Sequence, residues 1–277
     1  MKMNIYHKIL EQNRQNVPFA IATIVKTEGS VPGKVGFKIL VDHSGKTTGT
    51  VGGGALEKQV IQECLSRLKS GNSGLQEYKL QDKISANDKG PVPIIPMMCN
   101  GKVWIYYEIN SKLTEIYIFG GGHIGQVLCY YLSKLNYKII LIDNRREFTD
   151  KEKNPFAHEL IHADYINYVE EFTPSKDAFV VIVTHGHNFD LEILQTIYQR
   201  KLNLRYIGVI ASRSKSGKLK KKLREKFGPK ADFTKLYTPI GIDIGGDTES
   251  QIALSIAAEI QAIAFQKTVP HLRDKNI

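Results

Sequence analysis

Residues 116–148, IYIFGGGHIGQVLCYYLSKLNYKIILIDNRREF, decide the fold of this chain. An apolar run rich in β-branched and aromatic residues leads into three glycines, Gly120, Gly122 and Gly125. A helical pattern of apolar residues follows, and a second apolar run ends at Asp143. This order of strand, glycine turn, helix, strand and acid is that of a dinucleotide-binding βαβ unit, so we predict a Rossmann-type fold.

Each part of this stretch has a physical role in the prediction. Gly120 permits a tight turn, Gly122 lets the backbone approach a pyrophosphate, and Gly125 lets the helix pack on the strand. The pyrophosphate would lie on free N–H groups at the positive end of the helix. Asp143 is placed to accept ribose hydroxyls, and His123 is expected to face the same crevice. The alternative is that the glycines serve only a tight turn in a domain that binds no nucleotide.

The composition is that of an ordinary globular protein with an excess of basic residues. The 277 residues are 42% hydrophobic and carry a net charge of +10. No apolar run approaches the roughly 20 residues of a membrane helix, and the N-terminus has no signal-peptide core. We therefore expect a cytoplasmic protein without a membrane partner. The three cysteines, Cys64, Cys99 and Cys129, lack metal-like spacing, which argues against a disulfide framework or a structural zinc site.

Much of the positive charge lies in one segment, residues 213–230. Leu219, Leu223 and Phe227 recur there every four residues, which predicts an amphipathic helix with a basic outer face. That face is either simply solvated or an electrostatic surface for an anionic cofactor or an acidic partner protein. Nucleic acid is not an expected partner, because no aromatic platform accompanies the charge.

The sequence predicts an α/β protein of two domains. Residues 1–112 should form a smaller α+β domain, with strands at 18–28, 37–42, 75–80 and 103–109, a hairpin turn at 43–46, a helix at 55–69 and an ordered loop or lid at 81–100. Residues 113–277 should form a doubly wound parallel sheet, with strands near 116–120, 138–143, 159–162, 178–184 and 205–210, and helices near 123–135, 190–201, 216–227 and 248–266. Short connections between alternating elements favour helices on both faces. Residues 248–251 (TESQ) predict a capping box.

A second glycine signature lies in the N-terminal domain. Residues 29–33 (GSVPG) lead into a strand, and residues 50–54 (TVGGG) run into a helix. Consecutive glycines at a helix start expose backbone N–H groups, as an anion site requires. Ser30 adds a hydroxyl and Glu57 an acceptor. Tight turns without a ligand are the alternative.

The glycine segments of both predicted domains belong to a set of motifs that resembles a known family. Residues 29–57, GSVPGKVGFKILVDHSGKTTGTVGGGALE, resemble the N-terminal motif of the XdhC/CoxI family of xanthine dehydrogenase accessory factors. The similarity continues in order through the glycine turn and four further motifs: CNG (99–101), THGH (184–187) with Asp190, YIGVIASR (206–213) and PIGIDIG (239–245). Asn100, Ala211 and Glu249 depart from the family pattern, where we expect glycine, glycine and proline.

The resemblance implies a role in the maturation of molybdenum hydroxylases. Such a protein would bind the molybdenum cofactor (molybdopterin, alone or as a dinucleotide), support its sulfuration and protection, and insert it into an apoenzyme of the xanthine dehydrogenase type. It would act as a non-catalytic chaperone, with a cysteine desulfurase as a candidate second partner and a homodimer as the expected assembly. The implied cofactor contacts are Ser30, Gly53, Gly54, Glu57, Cys99, Gly120, Gly122, His123, Gly125, Asp143, His185, His187, Ser212 and Arg213.

Two groups of side chains need a separate interpretation. Cys99 is the candidate contact for molybdenum or sulfur, with a buried unreactive thiol as the alternative. Cys64 falls on the apolar side of its helix and is interpreted as core, and Cys129, which flanks the packing stripe of the helix after the glycine turn, is interpreted as structural. His185, His187 and Asp190 are similar to the H-x-H-x-D motif of metallohydrolases, but the aspartate comes one residue late. Ligand contacts at the carboxyl edge of the sheet, or ordinary turn residues, are therefore favoured over a metal site.

An NAD(P)-dependent oxidoreductase is the competing function. It requires a positioned proton donor, for which His185 or His187 is the evident candidate. Asp143 would favour NAD, while Arg145 and Arg146 leave NADP open. A regulatory nucleotide sensor without turnover is a third interpretation.

Overall fold

The computed structural model describes residues 4–82 and 90–269. The chain divides into two compact units, Met1–Lys112 and Leu113–Ile277. Among the helices in these described ranges, none combines the length and the apolar character that crossing a membrane requires. We refer to the two parts as the N-terminal unit and the C-terminal unit.

The described part of the N-terminal unit is a mixed sheet with two helices. Its elements are α1 (Ile5–Arg14), β1 (Phe19–Gly29), β2 (Lys38–Asp42), β3 (Thr47–Gly49), α2 (Gly54–Ser70), β4 (Gly74–Gln81), β5 (Ile94–Pro96) and β6 (Gly101–Asn110). The strand order is β3-β2-β1-β6-β4-β5, and neighbouring strands are antiparallel except for β4 and β5. The predicted α+β class is confirmed.

Alternation along β1 and helical spacing along α2 build the core of this unit. Ala20, Ala22 and Ile24 of β1 are buried, as the two-residue period of a strand requires. Leu56, Val60 and Cys64 lie four residues apart on α2 and are buried against the sheet. Cys64 is therefore core.

The expected loop at 81–100 contains a strand that the sequence did not indicate. Residues 94–96 form β5 and pair in parallel with Lys79–Gln81 of β4. The strand is three residues long and ends in a proline, so it is too short to show a period. The prediction of an uninterrupted loop is wrong here, and its residues 83–89 lie outside the described part of the chain.

The C-terminal unit has the predicted doubly wound architecture. Its elements are β7 (Thr114–Phe119), α3 (His123–Leu132), β8 (Tyr137–Asp143), a short 3₁₀ helix (Arg146–Phe148), β9 (Glu159–His162), α4 (Tyr165–Glu171), β10 (Phe179–Ile182), α5 (His187–Gln199), β11 (Tyr206–Val209), α6 (Arg213–Phe227), β12 (Leu236–Tyr237) and α7 (Glu249–Ala264). The strand order β12-β11-β10-β7-β8-β9 is parallel throughout. The order reverses between β7 and β10, which is where such sheets bind ligands.

The two faces of this sheet carry different helices. Ile116 and Ile118 of β7 pack in the core beneath α3 and α7, while Tyr117 and Phe119 pack in the core beneath α4, α5 and α6. The near-continuous apolar strands thus follow from burial on both faces. Three boundaries differ from expectation: α5 begins at His187, α6 begins at Arg213, and β10 ends at Ile182. The seven-residue α4 and two-residue β12 were not predicted, because neither is long enough to show a period.

Candidate functional site

The glycine turn after β7 is held by two positions where a side chain does not fit. Gly120 has φ +115°, and a Cβ there would overlap the carbonyl oxygen of Val183. A Cβ at Gly125 would overlap the carbonyl oxygen of Gly120. These two glycines therefore serve the backbone crossing between strand and helix.

Gly122 differs from its two neighbours in the motif. Its backbone, with φ −71°, suits any residue. A Cβ there would meet only the Arg145 guanidinium, 3.8 Å away. Gly122 is the N-cap of α3, and no side-chain hydrogen bond caps this helix. The first N–H groups of the helix thus lack a capping side chain.

A crevice of about 380 Å³ lies in front of this helix start. Gly122, His123 and Ile124 form one wall, and Thr184 and His185, just after β10, form another. Glu249, in the first turn of α7, completes it: its Oε1 lies 3.6 Å from Nδ1 of His123. The structure therefore brings together Gly122, His123 and His185 of the predicted contacts.

Asp143 ends β8 beside the turn, and both of its carboxylate oxygens are already bound. Oδ2 accepts hydrogen bonds from the Gly121 N–H (2.7 Å) and Nη2 of Arg145 (2.8 Å). Oδ1 accepts from the backbone N–H and Nε of Arg145, both at 2.9 Å. The side chain is fully buried. The ribose contact expected of Asp143 would therefore have to displace Arg145.

The charges of this pair are fixed by the same contacts. Burial by itself would raise the pKa of the Asp143 carboxyl, but hydrogen bonds from Arg145 and Gly121 outweigh it and hold the pKa below its ordinary value. The hydrogen bond to Asp143 in turn raises the pKa of Arg145. Both groups are charged at neutral pH.

Arg145 lines the crevice, although the sequence did not predict it as one of the contacts there. Its guanidinium lies 4.0 Å above the ring of Phe148, and both side chains line the crevice. The two nitrogens that contact Asp143 leave other guanidinium N–H groups for a ligand. Its position two residues after the acid was visible in the sequence, but its pairing with that acid was not.

The histidine motif after β10 is a loop that is held by a hydrogen bond between two of its own side chains. The Thr184 hydroxyl lies 2.6 Å from Oδ1 of the buried Asp190, which belongs to the first turn of α5. His185 is exposed, with its ring 5.3 Å from that of Phe189, and His187 begins α5. Within the described residues, no group of three or more metal-ligating side chains is present.

Ser212 and Arg213 lie at the start of α6, away from the crevice lining. The Ser212 hydroxyl caps the helix by accepting the Lys215 N–H. Arg213 is exposed, with Nη2 4.0 Å from the carboxylate of Asp243. Their roles as cofactor contacts stay predictions.

In the N-terminal unit, the glycine turn before α2 is occupied by a side chain of the protein itself. Glu57 Oε2 accepts hydrogen bonds from the N–H groups of Val51 (3.1 Å) and Gly53 (3.2 Å), and from the Thr50 hydroxyl. The carboxylate thus takes the place in which the sequence predicted an external anion. An anion at Gly53 would have to compete with Glu57.

The loop that carries Cys99 lies between the two glycine segments of this unit. The Ser30 N–H donates to the carbonyl oxygen of Asn100 (3.1 Å). On the other side, a Cβ at Gly54 would lie 3.3 Å from Cε of Met97. Residues 97–100, which include Cys99, thus contact both glycine segments, and we call them with Ser30 and Gly54 the loop cluster.

The three cysteines differ in exposure. Cys64 and Cys129 are fully buried, and burial raises the pKa of each thiol to about 12. Neither can supply a thiolate at neutral pH. Cys99 is partly exposed, so it is the cysteine with access to a ligand.

Comparison with known proteins gives relatives for both units. The family model for the XdhC Rossmann domain matches residues 116–260, and that of the XdhC and CoxI family matches residues 13–79. The protein YqeB of Escherichia coli (strain K12) is 30% identical over 259 residues, which are 93% of this chain and 46% of that protein. A probable xanthine dehydrogenase subunit from Bacillus subtilis (strain 168) is 28% identical over 146 residues, 53% of this chain and 42% of that protein. The chain thus spans less than half the length of either curated relative.

One solved structure matches the whole chain. It is described as a xanthine dehydrogenase from Bacillus halodurans, with a TM-score of 0.52 and 20% identity over 96% of this chain and 97% of that one. At this identity the likeness concerns the fold. The family-model matches identify the family. One covers more than half of the 277 residues, and the other covers part of the N-terminal unit. The chain belongs to the XdhC and CoxI family.

Proposed function

We propose that this chain is an accessory protein that binds the molybdenum cofactor, supports its sulfuration and protection, and inserts it into a xanthine dehydrogenase-type hydroxylase. Family membership supports the accessory role, and the Bacillus subtilis relative, described as part of a xanthine dehydrogenase, supports the type of partner. A cysteine desulfurase as sulfur donor and a homodimer belong to the same proposal. When bound, the cofactor supplies a molybdenum centre for the receiving enzyme.

The observation that carries the proposal is the crevice at the start of α3. Molybdopterin bears a phosphate, and its dinucleotide forms bear a pyrophosphate, so the site must accept an anion. The uncapped helix start at Gly122 and the guanidinium of Arg145 are both suited to that group. His123, beside Gly122, and Glu249 also line the crevice and offer hydrogen-bonding groups to the rest of the ligand.

Cys99 is proposed as the molybdenum or sulfur contact. It is the partly exposed cysteine, and it lies in the loop cluster with Ser30 and Gly54. A soft thiolate is a suitable ligand for a sulfur-bound metal centre.

Binding of NAD(P) without molybdenum is the competing interpretation of the same crevice. The Asp143 carboxylate, which would accept the ribose hydroxyls of NAD, already has four hydrogen-bond donors within 2.9 Å. This occupancy favours a ligand recognised through its phosphates over one recognised through a ribose diol.

Reconstitution of a molybdenum-free hydroxylase tests the proposal. Apoenzyme would be mixed with released cofactor, with and without this chain, and its molybdenum content and activity measured. The proposal predicts faster and more complete loading in the presence of the chain. Equal loading with and without it would overturn the chaperone role, and nicotinamide reduction by the chain alone would favour the oxidoreductase.

The variant Cys99→Ala tests the thiol contact. Because the side chain is partly exposed, we expect an unchanged fold but about tenfold weaker retention of molybdenum. Cys64→Ala is unsuitable as a control, since truncation there opens a cavity in the core, so Ser70→Ala on the exposed end of α2 serves instead. Undiminished molybdenum retention by Cys99→Ala would remove this residue from the site.

A further inference from the structure

A second pocket lies in the C-terminal unit. It has a volume of about 260 Å³ and is formed by α5, α6 and the residues after β11. It shares no lining residue with the crevice at the start of α3. We call it the lysine pocket.

One face of α6 gives this pocket its charge. Lys215, Lys218 and Lys222 are spaced by three and four residues, so they lie along one side of the helix, and all three line the pocket. The buried carboxylate of Asp190 lies opposite them and is held by the Thr184 hydroxyl at 2.6 Å. The lining thus contains three lysines and one aspartate, a net positive set of charges.

Lys218 and Lys222 are the lysines that carry the argument. Lys221, on another side of α6, lies 3.9 Å from Glu225. In the part of the chain that the structure describes, no carboxylate forms an ion pair with Lys218 or Lys222. The start of α6 adds the positive end of a helix dipole close to Ala211, which also lines the pocket.

The remaining lining is apolar. Leu191 of α5, Leu219 of α6 and Ile210 after β11 are partly buried and line the pocket. A pocket that combines an apolar wall with paired cations suits a ligand with an apolar body and a charged end. Its volume is somewhat below the roughly 300–1,000 Å³ of pockets for drug-sized molecules, so the ligand must be small.

We propose that the lysine pocket binds a small phosphate monoester. The phosphate would lie on Lys218 and Lys222, and the ring or chain of the ester would lie on Leu191 and Leu219. This site is separate from the cofactor crevice and does not depend on the function proposed for it. It gives the basic face of α6 a specific ligand in place of general solvation.

Binding of phenyl phosphate, measured by ligand-observed NMR and calorimetry at fixed ionic strength, tests this proposal. We expect saturable binding with a Kd of about 1 mM or lower, and at least about tenfold weaker binding of phenol and of inorganic phosphate. The variant K218Q/K222Q should bind phenyl phosphate about tenfold more weakly. Both lysines are exposed, so the variant should fold normally.

The control variant K221Q/K230Q removes the same charge from exposed positions outside the pocket. It should change the affinity less than about twofold. Equal weakening by both double variants would reveal diffuse electrostatic attraction and overturn the proposal. Absence of saturable binding to the wild type would also overturn it, as would binding that G122A abolishes and K218Q/K222Q leaves intact.

Discussion

Gly122 and Gly125 are three residues apart in one motif, yet they are glycine for different reasons. At Gly125 a Cβ would overlap the backbone of Gly120, whereas at Gly122 it would meet only the Arg145 guanidinium at 3.8 Å, an ordinary van der Waals distance. The sequence motif alone treats both as part of one signature. The structure separates a glycine that the fold requires, Gly125, from one whose small size the protein's own packing does not require, Gly122.

Gly122→Ala should therefore preserve the fold and weaken binding of the cofactor. We expect a melting temperature close to that of the wild type and about tenfold weaker retention of the cofactor, because a methyl group would fill the approach to the helix start. Thermal unfolding and molybdenum content measure the two effects. Gly125→Ala is the matched control and should unfold at a clearly lower temperature. Undiminished molybdenum retention by a folded Gly122→Ala would make the turn purely structural.

The position of Asp143 was predictable from the sequence, but its hydrogen bonds were not. Its place after β8 was correctly predicted, but its four hydrogen-bond donors were not, because three of them come from Arg145 in a conformation that the sequence does not specify. An acid at this position indicates the fold reliably. Its availability to a ribose depends on the rotamer of one neighbouring arginine.

The pH dependence of stability should report on Asp143. Its folded pKa lies below the 3.8 of an unperturbed aspartate, so its contribution is fully present above about pH 4 and is lost as the pH falls through the folded value. Asp143→Asn should cost about 2–4 kcal/mol of unfolding free energy at pH 7, since it leaves the buried contacts of Arg145 without a charged partner. The deficit should shrink below pH 4.

Denaturant unfolding at several pH values measures this difference. Asp177→Asn, at an exposed aspartate of the same unit, is the control and should change stability little. A deficit for Asp143→Asn that is the same at pH 7 and pH 3 would show that the charge of Asp143 is not its source.

Among the elements, the start of α7 both caps its own helix and lines the crevice. The Thr248 hydroxyl accepts the Gln251 N–H, and the Gln251 side chain accepts the Thr248 N–H, which confirms the predicted capping box. The next residue, Glu249, lines the crevice. The cap thus sets where α7 begins and, with it, where Glu249 stands.

Thr248→Ala should destabilise the C-terminal unit by about 1 kcal/mol, the usual cost of a lost N-cap. The four buried apolar residues of α7 should keep the helix docked, so the change is expected as a lower melting temperature rather than as loss of the helix. Ser250→Ala, in the same exposed turn, is the control. Identical melting temperatures for the two variants would show that the cap contributes nothing measurable.

The elements found from the sequence share long periodic patterns. The apolar run of β8 and the four-residue spacing in α2 were sufficient because burial dictates both. β5 and β12, of three and two residues, have no period to read, and their pairing depends on neighbouring strands. These two strands therefore depend on tertiary pairing rather than on a pattern in the local sequence.

In the whole molecule, each unit carries one glycine-rich helix start, and only one of the two is open to a ligand. The start of α3 faces an open crevice, whereas the start of α2 is closed by the carboxylate of Glu57. The sequence motifs predicted an anion site at both. Only side-chain geometry distinguishes them, because Glu57 lies one helical turn beyond Gly53 and folds back onto its N–H group.

The molybdenum content of the purified chain would show whether it carries the cofactor. Protein produced anaerobically in a molybdate-fed host would be analysed by native mass spectrometry and metal analysis, beside a molybdenum hydroxylase from the same cells as a positive control. We expect a pterin mass and about one molybdenum per chain. A chain that carries NAD(P) without molybdenum, or no cofactor while the hydroxylase is loaded, would contradict it.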